Sequence, residues 1–307
     1  LSRREQRQMD EVVRLWEGAA KQGHAPAQYN LGITYENGHG VDVNYKKAME
    51  WYKKAAEQGH AEAQYNLGLM YYHGEGVDVN YKKAFEWYKK AAKQGDALAQ
   101  YNLGIMYYHG QGVDVNYKKA FDWYKKAAEQ GDADAQCNLG FMYKHGQGVD
   151  VNYKKAIEWY EKAAEQGLAG AQYNLGNMYK HGQGVDVNYK KAFEWYKKAA
   201  EQGYAEAQFN LGVMYHHGHG VDVNYKKAFE WSEKAAKQGH AEAQCNLGVM
   251  YYHGQGVDVN YKKAFEWCKK AVKQGYAEAQ YYLGVMYYHG QGVDVNYKKA
   301  IEWFEKG

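Results

Sequence analysis

Apolar residues return along this chain in two alternating rhythms. In the stretch from Ala61 to Asp96, AEAQYNLGLMYYHGEGVDVNYKKAFEWYKKAAKQGD, residues Ala63, Leu67, Met70 and Tyr71 fall at helical spacing. After a polar turn, Tyr81, Ala84, Phe85, Tyr88 and Ala91 do the same. Steps of three and four gather side chains on one face of an α-helix, so the stretch predicts two amphipathic helices joined by a turn. Asn80 stands where the second helix starts, its side-chain oxygen placed to accept an orphaned backbone N–H of the first turn. Gly74 and Gly76 suit the turn, and Gly95 follows the second helix where a left-handed residue commonly closes one. A glycine inside a helix costs about 1 kcal/mol relative to alanine, so Gly68 in the first helix predicts close approach of a neighbouring helix.

The pattern recurs throughout. The phrase GVDVNYKKA begins at Gly40 and returns at Gly76, Gly112, Gly148, Gly184, Gly220, Gly256 and Gly292, a period of 36 residues. Self-similarity at such a period marks a stacked-repeat architecture, in which each unit contacts mainly its neighbours. Counted from its first alanine, seven full units run from Ala25 to Tyr276; residues 1–24 match the second half of a unit, and residues 277–307 stop five short. The chain is therefore read as one domain, 1–307, with partial helix units at both ends. Those incomplete ends leave open a fragment of a longer array.

The motifs AEAQYNLGLMYYHGEGV and NYKKAFEWYKKAAKQG resemble the Sel-one-like repeat (SLR) family, relatives of the tetratricopeptide repeats with a longer unit and a glycine-rich turn. The resemblance covers essentially the whole chain. Only VDVN departs from it, where the family often carries a proline or basic residue and an aspartate cap; asparagine caps equally well. The resemblance implies an all-α fold, a right-handed α-solenoid superhelix of antiparallel helix pairs, acting as an adaptor or scaffold for other proteins.

Comparing the copies within the chain separates positions the stack needs from positions it leaves free. The seventh, eighth and eleventh are always Leu, Gly and Tyr, whereas the second, fifth, ninth and twelfth vary and share one face of the first helix. The resemblance places that face on the concave side. Candidate partner-binding residues there are Tyr65, Leu69, Tyr72, Tyr101, Ile105, Tyr108, Phe141, Lys144, Asn177, Lys180, Phe209, Val213, His216, Val249, Tyr252, Val285 and Tyr288. Tyrosines flank a central segment of Lys144, Asn177 and Lys180, which suits an extended protein or peptide with apolar ends and an acidic middle. The alternative is glycan binding, with sugars stacked on Tyr72, Tyr108, Tyr252 and Tyr288.

Charge changes this picture little at the level of the whole chain. Lys+Arg number 39 against Asp+Glu 36, so no strong net field draws the chain to nucleic acid or an anionic membrane. Lysines such as Lys82 and Lys90 are four residues from Glu86 and are expected to pair with it on a solvated face. Trp87 and its equivalents are expected to pack. No apolar run approaches the roughly 20 residues of a spanning helix, and the polar opening LSRREQRQMD does not read as a signal peptide. The expectation is a soluble protein, cytoplasmic by default, with secretion or delivery into a host left open.

The residues that carry chemistry are scarce or badly spaced. Serine occurs only as Ser2 and Ser232 and threonine only as Thr34, which leaves little for a nucleophile elbow or a phosphate loop. No catalytic residue and no cofactor are expected. Histidine fills the thirteenth position of seven units, too far apart to share an ion; only His216, His217 and His219 in YHHGHG crowd together, as weak candidates for zinc, nickel or copper. Cys137, Cys245 and Cys268 are too few for a disulfide framework, although Cys245 and Cys268 lie where one bridge between antiparallel helices is possible. Partner identity and oligomeric state are not written in the sequence.

Overall fold

The computed structural model describes residues 3–306, and among them the two rhythms become seventeen helices with no strand. They run α1 (Arg3–Lys21), α2 (Ala25–Asn37), α3 (Tyr45–Glu57), α4 (Ala61–His73), α5 (Tyr81–Lys93), α6 (Ala97–His109), α7 (Tyr117–Glu129), α8 (Ala133–His145) and α9 (Tyr153–Glu165). The series continues with α10 (Ala169–His181), α11 (Tyr189–Glu201), α12 (Ala205–His217), α13 (Tyr225–Lys237), α14 (Ala241–His253), α15 (Tyr261–Lys273), α16 (Glu278–His289) and α17 (Tyr297–Phe304). Each even-numbered helix is the first of a repeat and each odd-numbered one from α3 onward the second, giving an all-α solenoid of paired helices. Residues 1–159 and 160–307 form two compact units.

Local chemistry starts and stops each helix. The Asn80 side chain accepts the Lys83 N–H at 2.9 Å, as expected, and Asn44, Asn116, Asn188, Asn224, Asn260 and Asn296 repeat the bond. The first helices are capped by the last residue of the preceding unit, a device not anticipated from the sequence. His60 Nδ1 accepts from Ala63 N–H at 3.3 Å and Asp96 from Ala99 N–H at 2.8 Å, whereas Leu168 and Tyr204 leave that bond unmade. At the other end Gly74, at φ 77°, donates its N–H to the Met70 carbonyl in a left-handed cap.

Gly68 is explained by a ring. A β-carbon there would lie 2.6 Å from the Tyr88 side chain, which is fully buried between the paired helices. The same seat holds Tyr52 on Gly32, Tyr124 on Gly104 and Tyr196 on Gly176. In the sixth and seventh repeats smaller side chains, Ser232 and Cys268, occupy the tyrosine position. Around the seat, Leu67, Met70 and Ala63 of the first helix and Ala84 and Ala91 of the second are buried, each large apolar side chain stabilising by about 1.5–3 kcal/mol.

Two glutamines then join repeat to repeat. Gln64 donates from Nε2 to the Ala56 carbonyl of the preceding second helix at 3.0 Å and accepts from Gln94 Nε2 at 2.8 Å. Gln100, with Gln130, and Gln208 and Gln244, with Gln238 and Gln274, repeat the pattern. Gln130 reaches further, donating to the Gly95 carbonyl of the repeat before. The Gln64, Gln100, Gln208 and Gln244 amides are buried and paired, their partners at the ends of the second helices being exposed, so the ladder fixes register at little desolvation cost. The second turn glycine makes a further inter-repeat contact. Gly76, at φ 70°, lies so close to the start of α3 that a β-carbon would come within 2.7 Å of the Tyr45 carbonyl carbon.

One expectation is corrected. Lys90 does not pair with Glu86: its ammonium lies over the Trp87 ring, 4.1 Å from the centroid. The i,i+4 ion pairs instead join Lys53 to Glu57, Lys125 to Glu129 and Lys197 to Glu201 at 3.9 Å, and Glu233 to Lys237 at 3.2 Å. Cys245 and Cys268 are not bridged; both are buried free thiols.

The seat yields a paired prediction. Gly104→Ala drives a methyl into the Tyr124 ring and is expected to lower stability by about 1–3 kcal/mol despite its better helix propensity. Gly170→Ala, in α10 with no neighbour within 4 Å, is expected to raise it by about 0.5 kcal/mol. Urea unfolding midpoints separate the two signs.

Candidate partner-binding face

The seat and the ladder use the third, fourth, seventh, eighth, tenth and eleventh positions of each first helix. What remains turns outward. Of the seventeen candidate residues all are half-buried except Phe141 and Tyr288, which are exposed at 38% and 52%.

In residues 1–159 the face is aromatic and closely tied to the stack. Tyr65 tilts against Tyr88 with ring centroids 5.8 Å apart and accepts from Asn102 Nδ2 at 3.4 Å. The Tyr72 hydroxyl donates to Gln111 Oε1 at 2.9 Å and that of Tyr108 to Gln147 Oε1 at 2.6 Å, each reaching the turn of the next repeat. Both rings stand edge-on to a second-helix tyrosine, Tyr81 or Tyr117, at 5.1 Å. The expectation that Tyr72, Tyr108 and Tyr252 are exposed is therefore corrected: they are half-buried, with their hydroxyls engaged. Burial, aided by Asp134, pushes the Tyr101 phenol up to about 12.

One open cleft interrupts this surface. It has a volume of about 350 Å³ and lies between α6 and α8, walled by Tyr101, Ile105, Tyr108, His109, Phe141 and Met142, with Tyr124 and Asn138 also lining it. The sequence explains why it opens here. The fifth position of α8 is Cys137 instead of tyrosine and the twelfth is Lys144, so two of the usual rings are missing beside Phe141. Lys144 is half-buried, and loss of solvation holds its ammonium below the ordinary lysine range.

In residues 160–307 the face is more polar. Asn177 accepts the Tyr196 hydroxyl at 2.5 Å, and Lys180 Nζ donates to Asn210 Oδ1 at 3.3 Å. Desolvation lowers the Lys180 pKa as well. Phe209 stacks on His240 at 4.9 Å. A smaller cleft of about 180 Å³ is lined by Phe209, Val213, His216, His217, Val249, Asn246 and Cys245, with Glu242, Glu278 and Tyr276 at its edge. Tyr252 donates to Gln291 Oε1 at 2.7 Å, while Val285 is half-buried. Tyr288 stands edge-on to Tyr297 at 5.4 Å.

The histidine cluster does not converge on a point. His216 and His217 are T-shaped at 4.7 Å, and His219 stacks on His217 at 5.6 Å and on Tyr189 at 5.0 Å. Among the described residues no group of three or more His, Cys, Asp or Glu side chains is placed to hold a metal ion. Burial, then the neighbouring His217, lowers the His216 pKa.

The sequence reading missed the glutamine ladder and the carboxylates Glu242 and Glu278. The ladder did leave a signal, since glutamine fills the fourth position of every copy and the thirty-fourth of the seven full ones. A polar residue that never varies between repeats is a candidate buried bond.

A sequence profile described as the Sel1 repeat matches residues 25–60, 61–96, 97–132, 133–168, 169–204, 205–240, 241–276 and 277–307 in succession. The chain belongs to the Sel1 repeat family. Among solved structures, this Sel1 repeat chain is similar to c5321, a protective antigen present in uropathogenic Escherichia coli strains that displays an SLR fold. The TM-score is 0.90 at 40% identity, over 96% of this chain and 63% of c5321, so the chain spans less than two thirds of that protein's length. It is also similar to a Sel1 repeat protein from Oxalobacter formigenes, with a TM-score of 0.72 at 34% identity over 95% of this chain and 85% of the other. No curated protein matches it. Proteins built of Sel1 repeats serve as protein-interaction scaffolds, and no catalytic family is indicated.

Two measurements check the electrostatics of this face. In an NMR titration of isotopically methylated lysines, Lys144 and Lys180 are expected to lose their protons at lower pH than the exposed lysines. Because their folded pKa values lie below the unfolded one, their contribution to stability grows as pH rises from the folded value towards about 10.4. Coincident titration with the exposed lysines would contradict the burial. Burial also raises the thiol pKa of Cys245, to about 12, and of Cys268, so a disulfide-exchange reagent at pH near 8 is expected to spare both until the chain unfolds.

Proposed function

We propose that this chain is a non-enzymatic scaffold that holds a peptide or protein against the outward face of its first helices. The observation that carries the reading is the cleft over Tyr124: in a face otherwise sealed by tyrosines bonded to the next repeat, it offers Phe141, Ile105 and Tyr101 around an open volume of about 350 Å³. A pocket of that size takes one large apolar side chain, and interface energy concentrates at such anchors. Lys144, one turn from Phe141 on the same helix and with no ion-pair partner among the described residues, favours a carboxylate beside the anchor. The partner segment is thus an apolar or aromatic residue flanked by an acidic one.

Glycan stacking is the weaker reading. Sugars need open ring faces, whereas Tyr72, Tyr108 and Tyr252 are half-buried, edge-on to second-helix tyrosines and committed through their hydroxyls. Scaffolding by other Sel1 repeat proteins supports protein as the ligand class.

Affinity capture compares the wild type with Phe141→Ala and Lys144→Glu. Each change is expected to weaken retention of the captured protein by about 1–2 kcal/mol, roughly 5- to 30-fold, with the urea midpoint little changed. Equal retention by all three forms, or preferential capture of glycans, would overturn the proposal.

A further inference from the structure

The near balance of charge over the whole chain conceals a local separation. In residues 1–159 the first helices α2, α4 and α6 carry no lysine or arginine. The second helices α3, α5 and α7 carry four, five and four lysines against two, one and two carboxylates. Along the second helices lysines still exceed carboxylates when the aspartate ahead of each cap, Asp42, Asp78 or Asp114, is counted with them, although each whole repeat carries equal numbers of the two. Close contacts line these helices up, since the turn glycine before α5 abuts the start of α3, and Gly112 before α7 abuts the start of α5.

Lys53 and Lys125 pair with Glu57 and Glu129 at 3.9 Å, while other lysines of these helices are held over aromatic rings. Lys90 lies 4.1 Å from the Trp87 ring centroid, with Lys54 over Trp51 and Lys126 over Trp123 at 4.3 Å; Lys83 lies 5.2 Å from Tyr71. An aromatic face orders an ammonium yet leaves its full charge directed outward, as a carboxylate partner would not. Between the lysines of α5 is a shallow depression of about 470 Å³ lined by Asn80, Lys82, Lys83, Glu86, Trp87 and Lys90. The ammonium cover also removes the indole faces from use as stacking platforms, which disfavours sugar rings and unpaired bases. Arginine, the residue that reads base edges and grips phosphate by a two-pronged bond, is absent from α3, α5 and α7. At the start of the same helices Val79 and Tyr81 are exposed at 52% and 40%, and Val43, Tyr45, Val115 and Tyr117 repeat them. Point charges beside half-exposed tyrosine and valine are the chemistry of a bilayer interface.

We infer that the second-helix face of residues 1–159 is a peripheral docking surface for an anionic lipid bilayer. The lysines meet headgroup carboxylates and phosphates, and the tyrosines rest at headgroup level. Among the described residues no helix is long and apolar enough to cross a membrane. This surface borders the first-helix face proposed for the protein partner, since Tyr81 and Tyr117 stand against Tyr72 and Tyr108.

The test uses the full chain and vesicle co-sedimentation, comparing phosphatidylcholine alone with a phosphatidylcholine–phosphatidylserine mixture. Partitioning onto the anionic vesicles and its loss as salt is raised are expected. The combined change Lys82→Gln, Lys83→Gln and Lys90→Gln should reduce partitioning on the order of 100-fold, at about fivefold for each lysine near the surface. Lys237→Gln, a lysine paired with Glu233 elsewhere, is the control and should leave it unchanged. Circular dichroism establishes that each variant keeps its helix content. No preference for the anionic vesicles, equal binding by the triple variant, or binding of duplex DNA in place of vesicles would each overturn the inference.

Discussion

In four of the repeats a tyrosine ring resting on a glycine holds the helix pair together. Without the β-carbon at Gly68 or Gly104, the two helices of a pair approach until the ring of Tyr88 or Tyr124 fills the space between them. That contact sets which side of the first helix is consumed by packing and therefore which side is free. The glutamine ladder runs beside it, with Gln64 bonded to both the Ala56 carbonyl and Gln94. Where the ring is lost, as at Ser232 and Cys268, the repeats keep their helices through the same caps and the same glutamines.

The face left over has two characters. Through most of residues 1–159 it is bound back to the stack by the Tyr72 and Tyr108 hydroxyls, and it opens only where Cys137 and Lys144 replace two aromatic residues. Function is thus proposed where one copy departs from the others, while the invariant positions serve the fold. The opposite arrangement holds on the second helices, where Lys82 and Lys83 recur in every repeat; repetition there builds a charged surface that no single copy would provide.

Much of the fold was legible because a 36-residue period repeats each signal eight times. The Asn80 cap, the Gly74 turn and the close approach at Gly68 all follow from backbone chemistry that acts within a few residues. The identity of the approaching group did not: nothing local to Gly68 names Tyr88, which lies across the pair. The caps His60 and Asp96 were hidden because histidine is an unusual cap and the position varies between copies. Lys90 was assigned to Glu86 by spacing alone, yet the indole three residues before it offered a nearer partner. The candidate face was legible as a set of varying positions, but its cleft was not, since a void arises from what neighbouring repeats fail to fill.

The central claim is that packing and binding divide the positions of one first helix between them. An alanine scan of the repeat 97–132, read by urea unfolding, tests it most directly. The account predicts losses of about 2–5 kcal/mol at Leu103 and Tyr124, and under about 1 kcal/mol at Leu98 and Ile105 on the outward face. Losses at Leu98 and Ile105 as large as those at Leu103 and Tyr124 would contradict it, because the outward residues would then belong to the core.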